Sequence, residues 1–173
     1  MKKMLLILAL LPMLMANAQT GKNGSGVLFL EGSMFRGFKS NDMIPIGTQI
    51  GLGYRLTNRI YPMLTVEYLS GHYKTTGIKT FYDSGNLGIA LGYSLLKKEE
   101  NDFSFLNNID IRVNAGTTVG HTDWKYLYYG AELKLGFRKN NTPMIGIGYR
   151  YMDSHTETID NYKGFYVSLG LRI

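Results

Sequence analysis

The side chains in this sequence best suited to chemistry are three histidines, His72, His121 and His155, and a Ser-His-Thr-Glu run at residues 154–157. Ser154, His155 and Glu157 supply a nucleophile, a base and an acid, the set that acyl transfer requires. Their order works against them, because adjacent residues of extended chain point to opposite sides and Ser154 does not share a face with His155. Asp153, His155 and Glu157 do share parity and converge in principle on a metal, but one such trio in a loop is a weak signal. The Gly-x-Gly pairs at Gly51/Gly53 and Gly146/Gly148 lie inside apolar alternation and open no helix, so they are not phosphate loops. There is no cysteine, which removes disulfide frameworks and thiolate metal sites. The expectation is no enzyme, no cofactor and no metal.

Basic residues form a second group. Lys39, Lys74, Lys79, Lys125 and Lys163 stand near Phe38, Tyr73, Phe81, Trp124 and Tyr162, at least one lysine in each of four connections near residues 37–44, 71–81, 120–125 and 153–163. Such a ring would bind lipopolysaccharide phosphates through charge-assisted hydrogen bonds, with the aromatics at headgroup depth. The alternative is a solvated rim that is basic without a ligand. The formal charge of +6 is a mild bias. Without a basic cluster interleaved with aromatics at fixed spacing, no nucleic-acid partner is expected.

The elements that carry these residues alternate with period two. Ile46 to Leu56, Leu87 to Leu95, Ile109 to Val119, Leu127 to Phe137, Ile145 to Tyr151 and Phe165 to Ile173 each set apolar residues against glycine and polar residues. Gly26 to Arg36 and Tyr61 to His72 are less regular and complete eight strands. Gly53, Gly92, Gly136 and Gly170 recur in similar apolar contexts at the ends of even-numbered strands, so the repeating unit is a hairpin. The connections on that rim, Thr57 to Arg59, Lys97 to Asp102 and Lys139 to Thr142, are short.

Which phase faces inward follows from composition. The apolar phase holds no charge and no glycine, whereas the other carries Arg55, Asp110, Arg112, Glu132, Lys134, Arg138, Arg150 and Arg172 among many of the 21 glycines. Glycine weakens an exposed strand. Inside an eight-stranded barrel, which has room only for its own side chains, glycine makes space for long charged ones. The charge-free phase then faces lipid, where arginine or lysine would cost roughly 2–4 kcal/mol at the midplane. Tyr54, Tyr93 and Phe137 fall at equivalent strand ends, as an interfacial girdle would. The expected lumen charge network comprises Glu31, Glu67, Asp110, Arg112, Glu132, Lys134 and Arg150. Between the fifth and sixth strands, complementarity selects the register that sets Arg112 opposite Glu132 and Asp110 opposite Lys134 over one that opposes Arg112 to Lys134. On that basis Glu132→Ala is expected to leave Arg112 unpaired.

Lys2 and Lys3 precede an apolar run from Met4 to Ala16, and Ala16-Asn17-Ala18 supplies the small-x-small cleavage pattern. The run is shorter than the roughly 20 residues of a spanning helix. The expected organisation is a signal peptide at 1–18, an N-terminal extension at 19–25 and a barrel at 26–173.

Signal peptide, eight alternating strands and a last strand Phe165-Tyr166-Val167-Ser168-Leu169-Gly170-Leu171-Arg172-Ile173 together resemble the small Gram-negative outer-membrane barrels of the OmpX/OmpA-like porin family. The resemblance implies an all-β, eight-stranded antiparallel up-and-down transmembrane barrel in the outer membrane, monomeric, with both termini periplasmic. Its partners would be outer-membrane lipids, lipopolysaccharide and the barrel-assembly machinery, the last through the final strand. That strand usually ends on an aromatic residue, where this one has Ile173. The family implies a structural or surface-interaction role, with a narrow solute conduit as the alternative and lipid A modification as a remote one. The deacylase pattern of this fold, His and Ser two apart on one strand face, is absent.

Overall fold

A computed structural model describes residues 26–75, 78–97, 106–137 and 142–173. The expected signal peptide and extension, Arg138 and most of the two turns at 98–105 and 138–141 lie outside the described residues. Eight strands follow one another: β1 (Leu28–Gly37), β2 (Met43–Tyr54), β3 (Ile60–Thr75), β4 (Ile78–Lys97), β5 (Leu106–Thr118), β6 (Tyr126–Phe137), β7 (Thr142–Ser154) and β8 (Tyr162–Arg172). Each pairs antiparallel with the next, and β8 returns to β1 from Glu31↔Arg172 to Gly37↔Tyr166, closing the barrel. Closure leaves no sheet edge within the wall.

The dimensions follow from the register. Paired residues traced round the wall run from Glu31 through Gly51, Thr65, Gly88, Gly116, Tyr128, Met152 and Tyr162, and the β8–β1 register, continued past its last pair Gly37↔Tyr166, returns at residue 41. For eight strands, a stagger of about ten residues at a rise of 3.3 Å and a spacing of 4.8 Å gives a tilt of roughly 40° and a wall radius of about 8 Å. An arginine reaches most of the way to the axis of such a barrel. Interior positions must therefore alternate between long side chains and none. Gly92 lies directly under the Tyr61 ring and Gly53 under the Phe29 ring, where any Cβ would overlap aromatic carbon.

The two phases separate as the alternation requires. Ile50 (60% exposed), Leu91, Ile111, Leu133, Ile147 and Leu169 (63%) form an outward apolar belt, while Arg112 and Glu132 are buried. Leu52 is only half-exposed, because it sits in a shallow outer trough between Leu28, Tyr54 and Leu64. Among side chains described on the outer face of the strands, charge occurs only towards the loop end, at Arg36, Asp83, Asp153 and Lys163.

Two boundaries differ from expectation. Residues 71–81 are mostly strand rather than connection: β3 and β4 stay paired as far as Thr75↔Ile78. His72 therefore lies within β3 and packs edge-on against Phe81 of β4, with ring centroids 4.6 Å apart. The β1–β2 connection is correspondingly tight, turning through Asn41 (φ 46°) and Asp42 (φ 59°), residue types that tolerate the left-handed region.

Candidate functional site

The interior is the part of the molecule where charged side chains converge, and it is layered. At the loop end Phe35, Met43, Leu69, Trp124, Tyr126, Tyr128, Met152, Ile159, Tyr162 and Tyr166 form a buried aromatic cap. Trp124 and Tyr162 thus point inward and are fully buried, contrary to the expectation that they sit at headgroup depth. The reason is the narrow bore: their large apolar area fills the barrel mouth, and the Trp124 indole N–H finds a partner there in Ser154 Oγ at 3.1 Å. Phe38 and Phe81 do point outward.

Below the cap lies an isolated ion pair. Arg150 Nη1 donates to both carboxylate oxygens of Glu67 at 2.9 Å. Its guanidinium is boxed by the rings of Tyr128 (4.5 Å), Phe35 (4.8 Å) and Tyr166 (5.2 Å). Asn86 Nδ2 donates to Glu67 Oε1 (3.2 Å) and to the Tyr126 hydroxyl (2.7 Å), tying the pair to the cap.

The larger network fills the turn-side half, and Glu31 is its hub. Arg112 donates to both Glu31 oxygens (2.9 and 2.8 Å), Lys134 Nζ to Oε1 (2.6 Å) and Arg172 to Oε2 through Nε (3.1 Å) and Nη2 (2.9 Å). Asp110 pairs with Arg172 Nη1 at 2.9 Å and accepts from Ser94 and Tyr61, both at 2.8 Å. Glu132 accepts from Ser168 Oγ at 2.5 Å and stands 3.5 Å from Lys134 and 3.9 Å from Arg112. One carboxylate in β1 therefore links β5, β6 and β8.

This corrects the partner assignment, though not the register. Arg112 does lie opposite Glu132 and Asp110 opposite Lys134 in the β5–β6 ladder. Arg112 nevertheless spends its bidentate face on Glu31, and Asp110 turns to Arg172. Across so narrow a lumen, a residue on a distant strand is as near as the ladder neighbour. Planar fork-on-carboxylate geometry, which the distant residue offers, is the stronger bond. Glu132→Ala would therefore not leave Arg112 unpaired.

Arg172 and Tyr61 were not foreseen as network members. Arg172 was legible from its inward parity and from the closing register that sets it opposite Glu31. Tyr61 had no such signal. Its hydroxyl donates to Asp110 and accepts from Arg172 (3.3 Å) and Arg112 (3.4 Å), a junction visible only in three dimensions.

The loop residues are dispersed. Lys39 is paired with Asp42 at 2.7 Å, Lys125 and Lys163 are exposed, and Lys74 opposes Lys79 in the β3–β4 ladder. His121 is exposed. His155 Nε2 stands 3.9 Å from Asp153, and the described residues contain no cluster of metal-ligating side chains. Ser154 Oγ is engaged by Trp124 and Thr156, so it is not poised beside a base. In comparisons with known proteins, neither a family model nor a curated protein matches the chain.

Proposed function

We propose that the chain is an integral outer-membrane barrel of the OmpX/OmpA-like kind, closed to solutes, with a structural or surface-interaction role and no enzyme activity. The observation that carries the reading is the pairing of a charge-free outward belt with charges buried inside. A water-soluble barrel would be expected to have the reverse arrangement. The interaction side rests on the loop end. Among the described residues nothing pairs with the outer edge of β4 from Ile78 to Tyr82, where Phe81 points outward, and elsewhere on the same rim Phe38, Lys125 and Lys163 are exposed. Basic residues with flanking aromatics at that level suit lipopolysaccharide phosphates and headgroups.

The braced interior weighs against the conduit reading: the Glu31 hub, the Glu67–Arg150 pair and the aromatic cap lie in series along the axis. Delivery to the membrane would use the barrel-assembly machinery acting on β8. The test is expression of the full chain in a Gram-negative host, followed by membrane fractionation and electrophoresis with and without heating. A folded, faster-migrating species in the outer-membrane fraction is expected. Recovery as a soluble periplasmic protein would overturn the reading.

A further inference from the structure

The turn-side lumen carries, among the described residues, one more cation than carboxylates. Arg55, Arg112, Lys134 and Arg172 face Glu31, Asp110 and Glu132. Among the described residues three of the four cations pair directly with a carboxylate, whereas Arg55 makes no direct ion pair and senses Asp110 only at longer range, against the opposing charge of Arg172. Arg55 is nonetheless firmly placed. Its backbone N–H donates to Val27 O at 2.9 Å and its carbonyl accepts from Gly26 N–H at 2.8 Å, one residue past the end of β2. Inward parity carries the half-buried guanidinium over the rings of Phe29 (5.6 Å) and Tyr61 (5.5 Å). Arg172 occupies the same two rings at 4.7 and 5.1 Å, but its donors are spent on Glu31 and Asp110. Arg55 Nη1 is buried and has no hydrogen-bond partner.

A guanidinium with a buried, unused donor is costly, whereas a bound oxyanion would recover that cost through charge-assisted hydrogen bonds. We propose that Arg55 forms an oxyanion site at the turn-side mouth of the barrel, matched to a phosphate group. The planar fork suits phosphate geometry. The Phe29 and Tyr61 rings shield one side from water, and Arg59 in the adjoining turn adds positive potential at the rim. The phosphate would come either from a free anion or from a lipid headgroup at the mouth. The site depends on barrel geometry alone, so it stands whether or not the membrane reading does.

The experiment uses the full barrel refolded in maltoside micelles, which contain no phosphate, with arginine side chains labelled with nitrogen-15. Inorganic phosphate is titrated against chloride at equal ionic strength, the Arg55 resonance being assigned by its loss in Arg55→Gln. A saturable shift of that resonance by phosphate alone supports the site with a free-anion source. A shift produced only when phosphatidylglycerol is added to the micelles supports it with a headgroup source. Calorimetric affinity is expected to fall roughly 10- to 100-fold in Arg55→Gln. Arg55→Lys, which retains the charge but not the fork, is expected to fall between the two and serves if the glutamine variant fails to refold. No shift in either arm, or an equal shift with chloride, overturns the proposal and makes Arg55 a cation neutralised within the chain.

Discussion

Glu31 accepts five charge-assisted hydrogen bonds from three cations, so its carboxylate is the most consequential group in the interior. Glu31→Gln keeps the shape but replaces the anion with a neutral amide whose NH2 must face a cation. Removing one partner of a buried ion pair costs about 3–5 kcal/mol, because the remaining charges stay desolvated. Asp110 and Glu132 would offset part of that for Arg172 and Lys134, so the expected loss is about 3–5 kcal/mol rather than a multiple of it. Glu132→Gln removes contacts of only 3.5 and 3.9 Å and weakens the Ser168 bond, and is expected to cost about 1–2 kcal/mol. Trp124, the only tryptophan, is buried in the cap and reports unfolding by its emission. Urea titration of refolded barrels in micelles would yield both values. The double variant Glu31→Gln/Arg112→Met should recover part of the loss, with a coupling of roughly 1–3 kcal/mol. A Glu132→Gln cost equal to or above that of Glu31→Gln would refute the hub.

The wild-type barrel is expected to show no steady openings in planar bilayers. Glu132→Ala should leave that unchanged, since Arg112 retains Glu31; sustained conductance in either would overturn the closed interior. Trp124 emission should be blue-shifted and poorly quenched by acrylamide, and Trp124→Ala should cost about 3–5 kcal/mol, against the strong quenching of a rim tryptophan. Gly92→Ala, which forces a Cβ into the Tyr61 ring, is expected to lower stability by about 1–3 kcal/mol. Gly32→Ala, with open space around it, should stay within about 0.5 kcal/mol, and equal effects would contradict the packing described. Leu91→Arg should destabilise the inserted barrel by about 2–4 kcal/mol in vesicles, and a neutral result would count against a lipid-facing belt.

The amino-acid sequence by itself determined the strand count, the antiparallel meander and which phase faces inward. These depend on a local period of two and on the incompatibility of buried glycine-rich, charged positions with an apolar exterior, and both can be read one strand at a time. It also determined the β5–β6 register, because two residues of each sign on adjacent strands admit one complementary alignment. Only the tertiary structure decided which carboxylate each cation takes. At a wall radius of about 8 Å the far side of the lumen is as close as the neighbouring strand, so pairing depends on stagger and tilt that no single strand encodes. The same closure turned Trp124 and Tyr162 inward, brought Tyr61 among Asp110, Arg112 and Arg172, and set Arg55 over the Phe29 and Tyr61 rings with no direct carboxylate partner among the described residues. Each of these depends on what stands across the barrel, which is a property of the closed ring rather than of any segment of it.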